Sequence, residues 1–269
     1  MSRGPEPGTG DACARAVAAG SYAGTTPFGG EDRGFRLTVP APTGVRQPLV
    51  LNFHGESRSA EEQDAYTGLA DLAVRAGFLL LSPEGSGSPP GWTIPGVYRE
   101  GVADDVGFVL QLLDDAEERL CVDPARVYAT GLSNGAEMAA LLACVAPGRF
   151  AAVASVAGLV FPGCEEGHVA VLGIHGTDDF NVPYELSREA ASEWAAHHAC
   201  EGEVIDELSE SVSRVRYAEC LGGDVVFVTV EGGGHTWPGA TGEGGVGPVT
   251  FEVSASELIW EFFAKPARP

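Results

Sequence analysis

The sequence is poor in positive charge: 16 Lys and Arg stand against 38 Asp and Glu, a formal net charge of −22 at pH 7. Nucleic acids and anionic membrane surfaces are held by clustered cations, so neither is expected as a partner. Long hydrophobic runs are missing too. No apolar stretch approaches the length of a membrane span, and Met1 to Thr9 are polar and rich in Pro and Gly, so no signal peptide is expected in this chain. There is no Cys-x-x-Cys spacing, which leaves a zinc site or a thioredoxin-like motif with little support. With neither an internal repeat nor a break in composition, the reading is one domain over 1–269, with 1–20 as a flexible leading segment.

What is present is enough for a full core, since 44% of the 269 residues are hydrophobic. The six cysteines, Cys13, Cys121, Cys144, Cys164, Cys200 and Cys220, are scattered and even in number. That pattern suits disulfides and an oxidising compartment, the alternative being reduced thiols packed as small apolar residues. Fifteen pairings are possible, and the spacings do not choose among them. A secreted chain whose leader has been removed would account for both the cysteines and the missing signal.

Along the chain, strand and helix patterns alternate. Gly34 to Val39 alternates and stops at Pro40 as an edge strand would, and Pro48 to Phe53 reads as a buried strand running into His54-Gly55-Glu56-Ser57. Ser59-Ala60-Glu61-Glu62 offers a capping box for a helix through about Arg75, closed by Gly77. Strands are expected at 78–81, 126–130, 151–156, 169–174 and 225–230, and helices at 104–120, 136–144, 185–198 and from 254 to about 263. Residues 84–101 form a loop rich in Gly, Pro and Ser, and the charged stretch between Cys200 and Cys220 reads as irregular. Strand, helix, strand in repeating order predicts an α/β fold with a mostly parallel sheet.

The chemistry gathers at Gly131-Leu132-Ser133-Asn134-Gly135, between a strand and a helix. Gly-x-Ser-x-Gly in that setting is a nucleophile elbow, a turn too tight for flanking side chains that lifts the serine hydroxyl out at the end of the sheet. An acyl-transfer serine needs a base, an acid to orient the base, and donors for the oxyanion. Ser133, then Asp178 or Asp179, then His235 follow in the required order, each just after an expected strand. Parallel strands carry their following loops to one edge of the sheet, so the three can converge. His54, His168, His175, His197 and His198 are the alternative bases; His54 and His175 precede glycine at strand ends, where bracing a loop is the simpler role. The amides of Asn134 and Glu56 are the oxyanion candidates, although the Glu56 carboxylate is unfavourable beside a developing negative charge unless it is turned away or paired. Trp237 and Trp92 are candidate substrate contacts, with a packing role equally open for Trp92.

His54-Gly55, Tyr66 to Ala70, Gly77 to Pro83, Asp123 to Gly135, His175-Gly176-Thr177-x-Asp179-x-x-Val182-Pro183 and Gly233-Gly234-His235-Thr236-Trp237-Pro238-Gly239 together resemble the extracellular esterases of the polyhydroxybutyrate depolymerase and feruloyl esterase type. The resemblance runs from about residue 35 onward. It implies an α/β-hydrolase fold with helices on both faces of the sheet and no large cap domain, secretion, no metal and no cofactor; a monomer is expected. It also implies Asp179 over Asp178 as the acid. Its disulfide habit suggests Cys200 with Cys220 and Cys121 with Cys144, leaving Cys13 with Cys164. The substrates it implies are esters of extracellular polymers, either polyhydroxyalkanoates and other polyesters or feruloyl and acetyl esters of plant polysaccharide. At Glu56 the sequence departs from the family, where that position is more usually apolar, aromatic or Cys. A serine peptidase on the same fold, or a catalytically silent binding protein, are the rival readings.

Overall fold

Runs such as Leu49-Val50-Leu51, Leu79-Leu80-Leu81 and Val225-Val226-Phe227-Val228 have no polar face, so strands made from them must be covered on both sides. The structure, a computed structural model, describes residues 17–265 apart from 97, 100, 102 and 166. Among the described residues ten strands make one sheet: β1 (Gly20–Phe28), β2 (Glu31–Val39), β3 (Gln47–Phe53), β4 (Leu79–Pro83), β5 (Val122–Leu132), β6 (Ala152–Val156), β7 (Ala170–Gly176), β8 (Glu203–Glu207), β9 (Val212–Tyr217) and β10 (Val225–Val230). Their order across the sheet is β1-β2-β4-β3-β5-β6-β7-β10-β9-β8. The central run from β4 to β10 is parallel, and antiparallel strands extend both edges.

Among the described residues six α-helices cover the sheet: α1 (Ala60–Thr67), α2 (Leu69–Ala76), α3 (Asp105–Arg119), α4 (Asn134–Val145), α5 (Tyr184–His197) and α6 (Ala255–Phe263). Because successive strand side chains point to opposite faces, each central strand feeds two cores. Leu51, Phe53, Ala129, Val153, Val171 and Phe227 pack with α3, α4 and α5. Val50, Leu80, Tyr128, Ala154, Leu172 and Val226 pack on the other side with α1, α2 and α6. Each fully buried Leu, Val or Phe contributes roughly 1.5–3 kcal/mol through burial. The chain runs from β3 to β4 on one side and then crosses to β5 on the other, so the order in which strands are added reverses between β3 and β5, which stay parallel. Their carboxyl ends, paired at Phe53 and Gly131, flank the crevice that such a reversal opens.

The structure departs from the sequence-based expectations at four places. The helix expected from Ser59 to Arg75 is two helices. The capping box at Ser59 and Glu62 is formed as expected, but Gly68 takes a left-handed conformation (φ 66°) that ends α1 and turns the chain into α2. The segment 34–39 belongs to an interior strand, because residues 20–28, whose side chains are mostly exposed, add β1 outside it. The charged stretch after Cys200 is the β8–β9 hairpin, where Asp206 receives both Arg214 and Arg216 from the neighbouring strand. Its alternation is carried by ion pairs at a sheet edge instead of by a buried face.

The fourth correction is covalent. Cys200 bonds Cys220 as the resemblance implied, but Cys144 bonds Cys164, not Cys121. Cys144 ends α4 and its partner lies on the segment that leaves β6, so the bridge joins neighbours around the elbow helix. Cys121 is also disulfide-bonded. The proposed pairing of Cys13 with Cys164 is excluded by the Cys144 bond, and Cys13 itself lies outside the described residues, as does the leading segment up to residue 16.

Candidate active site

At the end of β5 the chain must turn at once into α4. Ser133 makes that turn with φ 57° and ψ −124°, a conformation that costs a non-glycine residue strain and is kept only where the surroundings hold it. They do: Ser133 N–H donates to Val156 O (2.9 Å), and the elbow lies against β3 so closely that a Cβ at Gly135 would run into the Phe53 and His54 carbonyl oxygens. At Gly131 a Cβ would meet the backbone of Gly135. The two glycines are therefore a packing requirement of the elbow.

The loops after β7 and β10 are zipped together. Thr177 N–H donates to Val230 O (3.0 Å) and Asp178 N–H to Gly233 O (2.8 Å). This brings Asp179 under His235, while Asp178 points to solvent. His235 Nδ1 lies 2.7 Å from Asp179 Oδ2. A carboxylate only accepts, so Nδ1 carries the proton and Nε2 keeps its lone pair. Asp179 Oδ2 also receives His175 Nε2 (2.9 Å), and Oδ1 receives the N–H groups of Asn181 and Val182, both at 2.9 Å. Burial alone would raise the Asp179 carboxyl, but the hydrogen bonds from His175, His235 and Val182 override it and hold the group well below the usual carboxylate range.

A cleft of about 690 Å³ opens above these loops. Ser133, Asn134, His235, Gly55 and Glu56 line it, together with Tyr98, Glu137, Phe180 and Val246. Of the residues singled out in the sequence, Ser133, Asn134, Glu56 and His235 thus share one cavity, with Asp179 buried behind His235. Glu56 is paired: its carboxylate lies 3.9 Å from Arg99 Nη1, and its hydrogen bond to the Tyr98 phenol is the main reason that phenol is held above its ordinary value.

The two tryptophans expected as substrate contacts are packed away from the cleft. Trp92 is fully buried; its Nε1 donates to His54 O (2.9 Å), and its backbone N–H and C=O are both held by the Asn134 side chain, at 2.6 and 3.1 Å. It ties the long loop to the elbow. Trp237 donates from Nε1 to Ser256 Oγ (3.0 Å) and packs in the core beneath α6. A buried indole needs a partner for its N–H, and in both cases the fold supplies one. The exposed rings at the cleft are Phe180 and, partly, Tyr98. Phe180 had a signal in the sequence, an aromatic residue directly after Asp179; Tyr98 stands in the 84–101 loop, which the sequence places at the carboxyl ends of the strands, where ligands bind.

The remaining histidines are elsewhere. His54 Nε2 accepts from Gly85 N–H (2.8 Å) and Nδ1 faces Gly55 O (2.8 Å), so it braces two loops, and burial holds it below its ordinary pKa. His175 braces Asp179 and the Val182 carbonyl. His168, His197 and His198 gather at the opposite end of the sheet.

Residues 35–178 match the family model described as esterase PHB depolymerase. The chain belongs to that family. It is 34% identical over 253 residues to a protein named as an esterase, NocK, of Nocardia uniformis subsp. tsuyamanensis, covering 79% of this chain and 72% of that one. It is 27% identical over 259 residues to feruloyl esterase D of Neurospora crassa, covering 90% and 84%. Among solved structures, an acetyl xylan esterase from Aspergillus awamori superposes with a TM-score of 0.68 at 14% identity, covering 86% of this chain and 93% of that chain. The fold of this family member is that of the α/β-hydrolase esterases, without a large cap, and the chain is a carboxylic ester hydrolase. The match to the family spans Ser133 and Glu56 and ends one residue before Asp179.

Proposed function

We propose that this family member is a secreted, monomeric serine esterase with one catalytic domain, acting on esters of extracellular polymers: a polyhydroxyalkanoate or other polyester, or feruloyl or acetyl groups on plant polysaccharide. The observation that carries the reading is the 2.7 Å pairing of His235 Nδ1 with the Asp179 carboxylate beside a cleft that Ser133 and His235 both line. With its proton fixed on Nδ1, His235 has Nε2 free to take the Ser133 proton as the serine oxygen adds to the ester carbonyl. The tetrahedral oxyanion is met by the Asn134 amide at the start of α4, where backbone N–H groups have no intrahelical partner, and by the Glu56 amide. His235 then protonates the departing alcohol. In the second half it takes a proton from water as the water oxygen adds to the acyl-enzyme carbonyl, and returns that proton to the Ser133 oxygen as the acid leaves. Asp179 holds the imidazole tautomer and balances its charge throughout.

The family description and the names of the relatives support the ester class, and the exposed rim of Phe180 and Val246 suits a substrate larger than the cleft. The disulfides support an oxidising destination, and no described helix is long and apolar enough to cross a membrane. The test is labelling by a fluorophosphonate together with kcat/KM for methyl ferulate and for a 3-hydroxybutyrate oligomer, with Ser133→Ala as the blank. Labelling and turnover that both vanish in Ser133→Ala are expected; turnover surviving in that variant would sink the proposal.

A further inference from the structure

His168, His197 and His198 come together at the amino ends of the parallel strands, far from the cleft. His168 lies two residues before β7, and His197 and His198 end α5. One nitrogen from each ring lies within 4.8 Å of one from each of the others. The ring centroids are 5.2, 5.4 and 5.5 Å apart. Three imidazoles on one tetrahedral zinc, with a metal–nitrogen distance of ~2.0–2.1 Å, would have centroids ~5.2 Å apart. The ring triangle already has that size, and small ring rotations would bring the nitrogens, which lie within 4.8 Å of one another, to the ~3.3 Å that a tetrahedral ion requires. From it we infer that the three histidines form a binding site for a divalent cation of the zinc class.

The hydrogen bonds around the rings choose the ligand atoms. His197 Nε2 faces Gly167 O at 2.8 Å and His198 Nδ1 faces Gly223 O at 2.7 Å. A carbonyl accepts only, so those nitrogens carry the protons and the lone pairs lie on His197 Nδ1 and His198 Nε2. Metal-bound histidines are oriented in the same way, by donating the other N–H to a carbonyl or carboxylate. His198 is completely buried, and its Nε2 has no hydrogen-bond partner among the described residues. A buried lone pair without a partner is costly, and a cation bound there removes the cost.

The surroundings agree with the donor set. Phe161 and Trp194 pack their rings against the cluster, giving it an apolar wall, and the Asp224 carboxylate acts on His198 from nearby. Imidazole donors without coordinating carboxylates favour zinc, nickel or copper over calcium and magnesium. Exposure of His168 leaves the fourth position open to water. A bound ion would clip the segment before β7 to the end of α5 and, through the Gly223 carbonyl, to the segment before β10. These two strands carry Asp179 and His235 at their other ends.

The experiment uses tag-free protein stripped with EDTA and then titrated with zinc chloride by calorimetry, with thermal unfolding in parallel. About one zinc per chain and a rise in Tm of about 5 °C at saturating zinc are expected, with no rise from magnesium. The exposed ring of His168 can be removed without disturbing the core, so His168→Ala should keep its circular dichroism and lose at least about tenfold in zinc affinity. Ser133→Ala should bind zinc as the unaltered chain does. Absence of saturable one-to-one binding, an unchanged affinity in His168→Ala, or loss of binding in Ser133→Ala would each overturn the assignment.

Discussion

His175 and His235 share one acceptor: their ring nitrogens converge on Asp179 Oδ2 at 2.9 and 2.7 Å. His175 never reaches the cleft, yet it sets the carboxylate that faces His235. Removing it takes away one charge-assisted hydrogen bond, worth roughly 1.5–3 kcal/mol, part of which acts on the protonated state of His235. His175→Phe is expected to lower kcat by about tenfold, with KM within about twofold. Steady-state kinetics on a soluble ester checks this, and an unchanged kcat would reduce His175 to a loop brace.

The depressed Asp179 carboxyl also links stability to pH. A carboxyl whose folded pKa lies below its unfolded value of about 3.9 stabilises the fold above that value, and the contribution is lost as pH falls below it. Asp179→Asn removes the titration. Urea unfolding between pH 6 and pH 3 should therefore show a shallower loss of stability in Asp179→Asn than in the unaltered chain; parallel profiles would assign the acid sensitivity to other groups.

Asn134 holds both backbone groups of Trp92 with its side chain. Asn134→Ala leaves a buried N–H and C=O unpaired, at a cost of about 1–3 kcal/mol each before relaxation. A loss of about 3 kcal/mol in chemical denaturation is expected, along with faster proteolysis within the 84–101 loop. Retained stability would mean that the loop is held by Trp92 packing alone.

Phe180 is 90% exposed and lines the cleft, so its removal costs the fold almost nothing. If it supports the bound substrate, Phe180→Ala raises KM for an aromatic or polymeric ester by about fivefold and leaves acetyl ester turnover unaffected. Equal effects on all esters would count against that role.

Cys144–Cys164 and Cys200–Cys220 close segments of the same length, with a sequence separation of 20 in each. Loop-closure entropy assigns each about 3 kcal/mol. Peptide mapping without reduction should return both pairs, and the Cys144→Ala/Cys164→Ala double variant should lose stability of that order by urea unfolding. A Cys121–Cys144 peptide would contradict the fold described above.

Local sequence determined much of this protein. The all-apolar runs at 49–51 and 79–81 could only be strands buried on both faces, and Ser59 with Glu62 could only start a helix cleanly. Gly131 and Gly135 around Ser133 announced a turn with no room for side chains. These features depend on residues a few positions apart. They are legible because backbone sterics, capping and periodicity act at that range.

Tertiary structure decided what depends on distant partners. Trp92 and Trp237 became buried anchors because His54 O and Ser256 Oγ met their indole N–H groups from other elements. Cys144 met Cys164 because α4 and the segment after β6 are neighbours in space, and the β8–β9 hairpin formed because Asp206 found two arginines across a sheet edge. Asp179 was separated from Asp178 by the pairing of the β7 and β10 loops, which buries one carboxylate under His235 and leaves the other in water. The family resemblance had already singled out Asp179; the other pairings have no local signal. The physical reason is that a side chain carries its hydrogen-bonding capacity and shape in its own identity, whereas the group that satisfies it is chosen only when the chain folds back on itself.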